Sequence, residues 1–142
     1  MPSLTQRIPD LQQLGPIVEI EITASIPYAR NNKLNFLAFK TLKLIAMIDT
    51  GATGTVIKKG LAEQLGINPV GSILMNTPTS ESISCLQYNV QITFPSNVNI
   101  ESVIVTEAPL QGQHIQCLIG RDVLQHGVLI YTGYDNSFTL CF

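Results

Sequence analysis

Tryptophan is absent from this 142-residue chain, cysteine occurs three times, and charged residues make up only 13% of it. Each shortage excludes something. Cys85, Cys117 and Cys141 are odd in number and widely spaced, so they form no disulfide framework and point to a reducing setting. Basic residues never run beyond Lys58-Lys59 and the formal net charge is -2, so the electrostatic footprint of a nucleic-acid binder is missing. No stretch reaches the roughly 18 consecutive apolar residues of a membrane span. The opening "MPSLTQRIPDLQQLG" puts prolines and polar residues where a signal peptide has its apolar core. A cytoplasmic protein without a membrane partner is the expectation from those two absences. Internal repeats and low-complexity tracts are also missing.

What the chain does have is apolar substance. Hydrophobic residues account for 45% of it, enough for one domain with a real core and too much for disorder. The scarcity of charge implies that some apolar surface is covered by another chain.

Residues 1–15 read as a polar arm ending at Gly15-Pro16, with the domain proper over 16–142. "IVEIEITA" alternates Val18, Ile20, Ile22 and Ala24 against Glu19, Glu21 and Thr23, a half-buried strand. "PYARNNKLN" reads as a turn-rich connection. "FLAFKTLKLIAMI" reads as strand material running into Asp49. "KKGLAEQLGINP" predicts a short helix closed by Gly66 and Pro69. "LQYNVQITF" and "IESVIVTEA" are strands around the turn "PSNVN". "CLIG" is a short strand entering a helical turn at "RDVLQHG", and "VLIYTGYDNSFTLCF" is a hairpin. Many short strands with one or two short helices predict an all-β fold, a closed or folded-over barrel.

One acid stands out. Asp49 ends an apolar run, Leu44-Ile45-Ala46-Met47-Ile48, and is followed by Thr50-Gly51-Ala52-Thr53. A carboxylate in a water-poor place must be hydrogen-bonded to stay ionised. Thr50 offers a hydroxyl, and Gly51 lets a backbone N–H approach the acid. The ordinary alternative is an Asx-turn at a strand end. Much later comes Leu118-Ile119-Gly120-Arg121-Asp122-Val123-Leu124, an apolar pair and glycine leading into a helix.

With these two motifs, in this order and separation, the chain resembles the retropepsin-like aspartic proteases over roughly residues 16–142. The resemblance implies an acid-protease barrel in which Asp49, Thr50 and Gly51 are the catalytic triplet. It implies a cleft with Ala52, Thr53, Val56 and Ile119, covered by a flap at about Met75–Leu86 that includes Thr77, Pro78 and Thr79. Gly120, Arg121 and Asp122 would support the site. Two such carboxylates face each other, share a proton and activate one water against a peptide carbonyl, best at acidic to mildly acidic pH. The sequence has only one Asp-Thr-Gly, and Asp10, Glu63, Asp122 and Asp135 lack its setting. The chemistry therefore implies a homodimer cutting peptide or protein substrates, with Thr50 bonding across the axis. The alternative is a catalytically weak dimerisation or peptide-binding domain with the same fold.

The chain departs from the family in two places. Retroviral members carry an acid where Thr53 stands, and that acid pairs with the Arg of the second motif. Arg121 therefore needs another partner, with Asp10 and Asp122 both candidates, and a structural ion pair or hydrogen bonds to backbone carbonyls are favoured for it over substrate contact. The flap has no glycine. Other chemistries fit poorly. His114-x-x-Cys117 is the one close pair with ligand spacing and has no second pair, so no metal is expected. "GATGTVIKKG" does not match a phosphate-binding loop. No cofactor is implied. Cys117 opens an apolar strand and reads as buried and inert.

Overall fold

The computed structural model describes residues 1–33, 40–76, 79, 81–110 and 114–142. Alternating residues build most of the strands. β1 spans Ser3–Arg7, β2 Ile17–Ala24, β3 Leu42–Ile48, β4 Val56–Lys58 and β5 Gly71–Asn76. β6 spans Ser82–Phe94, β7 Val98–Ala108, β8 Cys117–Ile119, β9 Val128–Thr132 and β10 Ser137–Cys141. In β6 the period of two puts Tyr88, Val90, Ile92 and Phe94 in the core, as expected from the sequence.

The strands close on themselves. Hydrogen bonding runs β2-β3-β8-β4-β7-β6, and β6 returns to pair with β2 from Glu21↔Thr93 to Ala24↔Val90. The result is the closed barrel that the strand pattern predicted, with six strands in its wall and β5 appended to β6. A register shift between Val90 and Ile92 bends β6, so one long strand serves both the β5 hairpin and the barrel wall. The terminal strands form a separate three-stranded sheet ordered β1-β10-β9.

The first fifteen residues pack on the body of the molecule. β1 pairs with β10, Leu4 opposite Leu140, and Leu4, Ile8 and Leu11 join the main core. Among the described residues there are three short α-helices: α1 Leu11–Leu14, α2 Ile26–Asn31 and α3 Arg121–Leu124. α2 corrects the reading of "PYARNNKLN" as a turn. Ser25 caps it by accepting the Tyr28 N–H at 3.1 Å, and a proline in the first turn fits the helical φ. Ser25 is wholly buried, so Ser25→Ala should cost about 1 kcal/mol of unfolding free energy, read by urea denaturation. The helix expected over "KKGLAEQLGINP" is a 3₁₀ turn at Ala62–Leu65, closed by Gly66 at φ 73°. Part of the strand material proposed before Lys40, residues 36–39, and the last two residues of the connection before it lie outside the described residues. No helix among the described residues is long and apolar enough to cross a membrane.

Candidate active site

Topology puts Asp49 where it is. β8 lies between β3 and β4, parallel to β3 and antiparallel to β4. The loop from Asp49 to Thr55 must therefore arch across the end of β8 to join its two neighbours. The Asp49 N–H donates to the Ile119 carbonyl at 2.9 Å, which pins the acid to the last residue of β8. The carboxylate is half-buried, and its Oδ1 accepts the Gly51 N–H at 2.9 Å. A Cβ on Gly51 would sit 3.1 Å from that same oxygen. The glycine thus gives its N–H the room to reach the acid, as expected from the sequence. The Asx-turn and the held carboxylate are one geometry here. Its difference from an ordinary turn is the second anchor on β8.

The Gly120–Val123 segment locks the loop. The Arg121 N–H donates to the Ala52 carbonyl and the Asp122 N–H to the Thr53 carbonyl, at 2.9 and 3.2 Å. Asp122 Oδ1 accepts the Thr55 hydroxyl at 2.8 Å and the Val123 N–H at 2.9 Å, while Oδ2 accepts the Thr55 N–H at 3.0 Å. The Thr55 hydroxyl in turn accepts the Gly120 N–H at 3.1 Å, and the Thr55 carbonyl accepts the Thr106 N–H. Every polar group of this wholly buried threonine is used. Gly120 is held just as tightly, because a Cβ there would lie 2.5 Å from the Gly54 carbonyl group. Thr55 was absent from the sequence reading. Its signal is a hydroxyl residue directly preceding the buried pair Val56-Ile57, where it must have partners.

Arg121 pairs with neither Asp10 nor Asp122. Its guanidinium donates to the Thr50 carbonyl at 2.7 Å and to the Thr53 hydroxyl at 3.2 Å. The backbone-carbonyl option is the one realised, with the Thr53 hydroxyl as a second acceptor. Thr50, Gly51 and Thr53 are exposed and Ala52 is half-buried.

A cleft of about 640 Å³ is walled by Val56 of β4, Leu118 of β8, Ala108 and Leu110, and the β5–β6 hairpin through Met75 and Ile83; no residue of the Asp49–Thr55 loop lines it. The lining is mostly apolar, as a site for apolar side chains requires. Of the residues expected to bind substrate, Ala52 and Thr53 are not in its wall, and Val56 and Thr79 line it. Ile119 does not: strand alternation turns it into the main core, wholly buried, and aims Leu118 at the cleft instead. The hairpin stands where the flap was expected, with Asn76 opposite Ser82. Thr77 and Pro78 lie outside the described residues. Leu118, Ile83 and Leu110 were missed, because the hydrophobic pattern marks a residue as apolar without saying which cavity it walls.

The remaining chemistry-bearing side chains lie elsewhere. Cys117 is wholly buried in β8, and burial, reinforced by the Asp122 carboxylate, pushes its thiol far above the ordinary range. The protonated, inaccessible sulfur behaves as core. His114, its neighbour in the weighed zinc pair, is exposed. Among the described residues, no group of three or more His, Cys, Asp or Glu could hold a metal ion.

Comparison with known proteins adds a family. A family model described as "Aspartyl protease" matches residues 39–123, a span containing the Asp49–Thr53 loop and the Leu118–Val123 segment fastened to it. Among solved structures, a retropepsin-like aspartic protease from Rickettsia conorii is similar, with 15% sequence identity and a TM-score of 0.49. That match covers 99% of this chain and 94% of the other. No curated protein matches the chain.

Proposed function

Since the chain belongs to the aspartyl protease family, we propose that it is an aspartic endopeptidase that works as a homodimer, with Asp49 from each chain forming one catalytic pair. The supporting observation is the double anchoring of Asp49. Its own N–H is tied to β8 and its carboxylate is oriented by the Gly51 N–H, at a turn whose neighbours Thr50 and Gly51 face solvent. A carboxylate held this firmly at an exposed turn can meet its symmetry mate on a two-fold axis.

Two carboxyl groups in contact hold one proton between them, because both cannot ionise at that distance. The ionised member takes a proton from a water lying between them. That water attacks the carbonyl carbon of the scissile peptide bond, and the protonated member donates to the carbonyl oxygen as it becomes tetrahedral. Collapse of the intermediate breaks the C–N bond, and the amine leaves with a proton from the pair. Thr50 bonds across the axis through its hydroxyl. Thr55, Asp122 and Arg121 keep both loops in register without touching substrate. The peptide lies extended beneath the β5–β6 hairpin, held by backbone hydrogen bonds, with an apolar side chain in the cleft of Val56, Leu118 and Ile83.

The test is cleavage of unstructured peptides over a protein dilution series and a pH series. Specific activity should fall as the protein is diluted through its dimer dissociation constant. The rate should trace a bell, lost at low pH where both carboxyls carry protons and lost again as rising pH ionises both. Specific activity that does not change with dilution in a protein sedimenting as a monomer would refute the two-chain site.

A further inference from the structure

We propose that the fork between β6 and β7 is a second side-chain subsite beside the peptide cleft, and that it selects a lysine or arginine of the substrate through Glu107. The inference rests on the protease reading above and names the kind of peptide preferred.

The fork follows from the strand pairing. The β6–β7 ladder ends at Gln87↔Thr106. Beyond it β7 continues beside β4 as far as Lys58↔Ala108, while β6 continues beside β5 as far as Asn76↔Ser82. The two strands diverge, and a cavity of about 300 Å³ opens between them. Its wall is residues 83–86 of β6, Glu107, Pro109 and Lys59. Met75 and Ile83 face each other across the hairpin and turn to the apolar cleft, so alternation turns Ser84 and Leu86 to the other side. Ile83 and Pro109 wall both cavities. A peptide with an apolar side chain in the cleft therefore brings the residue one or two places along, at about 3.5 Å per residue, to the fork.

Glu107 gives this cavity its chemistry. It is only 7% exposed, beside Ile83, Cys85, Leu86 and Pro109. A carboxylate this deep requires hydrogen bonds or a counter-charge. Its Oε2 accepts the Gly60 N–H at 3.2 Å, the long end of the range. Its Oε1 accepts nothing from the described residues. No wholly buried side-chain oxygen among them lacks a partner, so Oε1 is the atom open to the cavity. Lys59, the cation in the wall, is exposed, and no ion pair joins it to Glu107. Glu81, in the wall of the neighbouring cleft, adds a second negative charge. The fork thus calls for a positive charge on a long apolar stem. A lysine or arginine side chain has both: its methylenes pack on Leu86 and Pro109, and its head donates to Oε1. At about 300 Å³ the cavity is at the lower limit for a free small ligand and ample for one long side chain.

The test compares fluorogenic peptides that differ only in carrying lysine or norleucine one or two places from a leucine. The parent should give a kcat/KM on the order of 10-fold higher for the best-placed lysine peptide. Added salt should shrink that ratio. Glu107→Gln keeps an acceptor for the Gly60 N–H and should bring the ratio to about one. Glu101→Gln, an exposed acid elsewhere on β7, should leave the ratio as in the parent. Binding of the same peptides to the Asp49→Asn chain, followed by fluorescence anisotropy, reads the subsite without the chemistry. The proposal is overturned if the parent cuts lysine and norleucine peptides equally at every position. It is also overturned if a folded Glu107→Gln chain keeps the lysine preference. Should that variant fail to fold, the parent's own ratio and its loss in salt decide. A parent that cuts neither peptide, while the Asp49→Asn chain binds the lysine peptide more tightly, supports the subsite and sinks the protease reading instead.

Discussion

Asp49→Asn should cleave peptides at least about 10⁴-fold more slowly than the parent chain while keeping its fold and its dimer. The amide is nearly isosteric, and its oxygen still accepts the Gly51 N–H that the carboxylate accepts at 2.9 Å. The backbone bond from residue 49 to Ile119 does not involve the side chain. On the proposed two-carboxylate mechanism, the substitution therefore removes the base and the shared proton and little else. Subunit mixing makes the test sharper. When parent and Asp49→Asn chains are mixed in equal amounts and allowed to exchange, only about a quarter of the dimers carry two acids. Activity per parent chain should then fall by about half, and excess variant should suppress it further. Steady-state cleavage of a fluorogenic peptide reads both effects. An Asp49→Asn protein that keeps substantial turnover, or one that fails to poison the parent in exchanging dimers, would refute a pair of Asp49 carboxylates as the catalytic unit.

Asp122→Ala should lower the unfolding free energy by about 3 kcal/mol. The carboxylate accepts from the Thr55 hydroxyl, the Thr55 N–H and the Val123 N–H. Thr55 is wholly buried, so its two donors have no water to turn to when the acid is removed. The cost is that of stranded donors, which exceeds the worth of an ordinary surface hydrogen bond. For a chain of this size the melting temperature should drop by on the order of 10 °C. Asp122→Asn should fall between parent and alanine, because the amide oxygen accepts while its NH₂ meets a donor. Peptide cleavage should weaken with stability, since the same bonds tie the Asp49 loop to α3. Thermal denaturation followed by circular dichroism decides it, and a loss below about 1 kcal/mol would show that the loop is held by its backbone bonds alone.

The contrast between these two acids shows how far the sequence could be read. Asp49 announced itself through an apolar run behind it and Thr-Gly ahead of it, a local pattern that the chain order preserves. Asp122 was legible only as part of Gly-Arg-Asp, and its pairing with Thr55 was not legible at all. The two lie 67 positions apart, and nothing local to either says that they meet. Arg121 is a similar case. The sequence showed that its customary acid was missing, but only the folded loop shows the Thr50 carbonyl and the Thr53 hydroxyl in its place. Ile119 and Leu118 mark the same limit on a smaller scale. Both are apolar neighbours on one strand, and which of them faces the cleft depends on what packs on each side of β8.

The sequence alone determined the longer strands such as β2, β6 and β7, because side chains alternate along β structure and a period of two survives in the order of residues; β1, β4 and β5 were not legible in it. It also determined the turn chemistry at Asp49, because Asp, Thr and Gly act on backbone groups one or two residues away. The tertiary structure alone decided that β8 threads between β3 and β4, that β6 closes the barrel on β2, and that β1 pairs with β10 in the same chain. Those choices depend on contacts between residues far apart in the chain. Their free energies come from burial and from satisfying every enclosed polar group at once, which is a property of the whole packed molecule and of no single stretch of it.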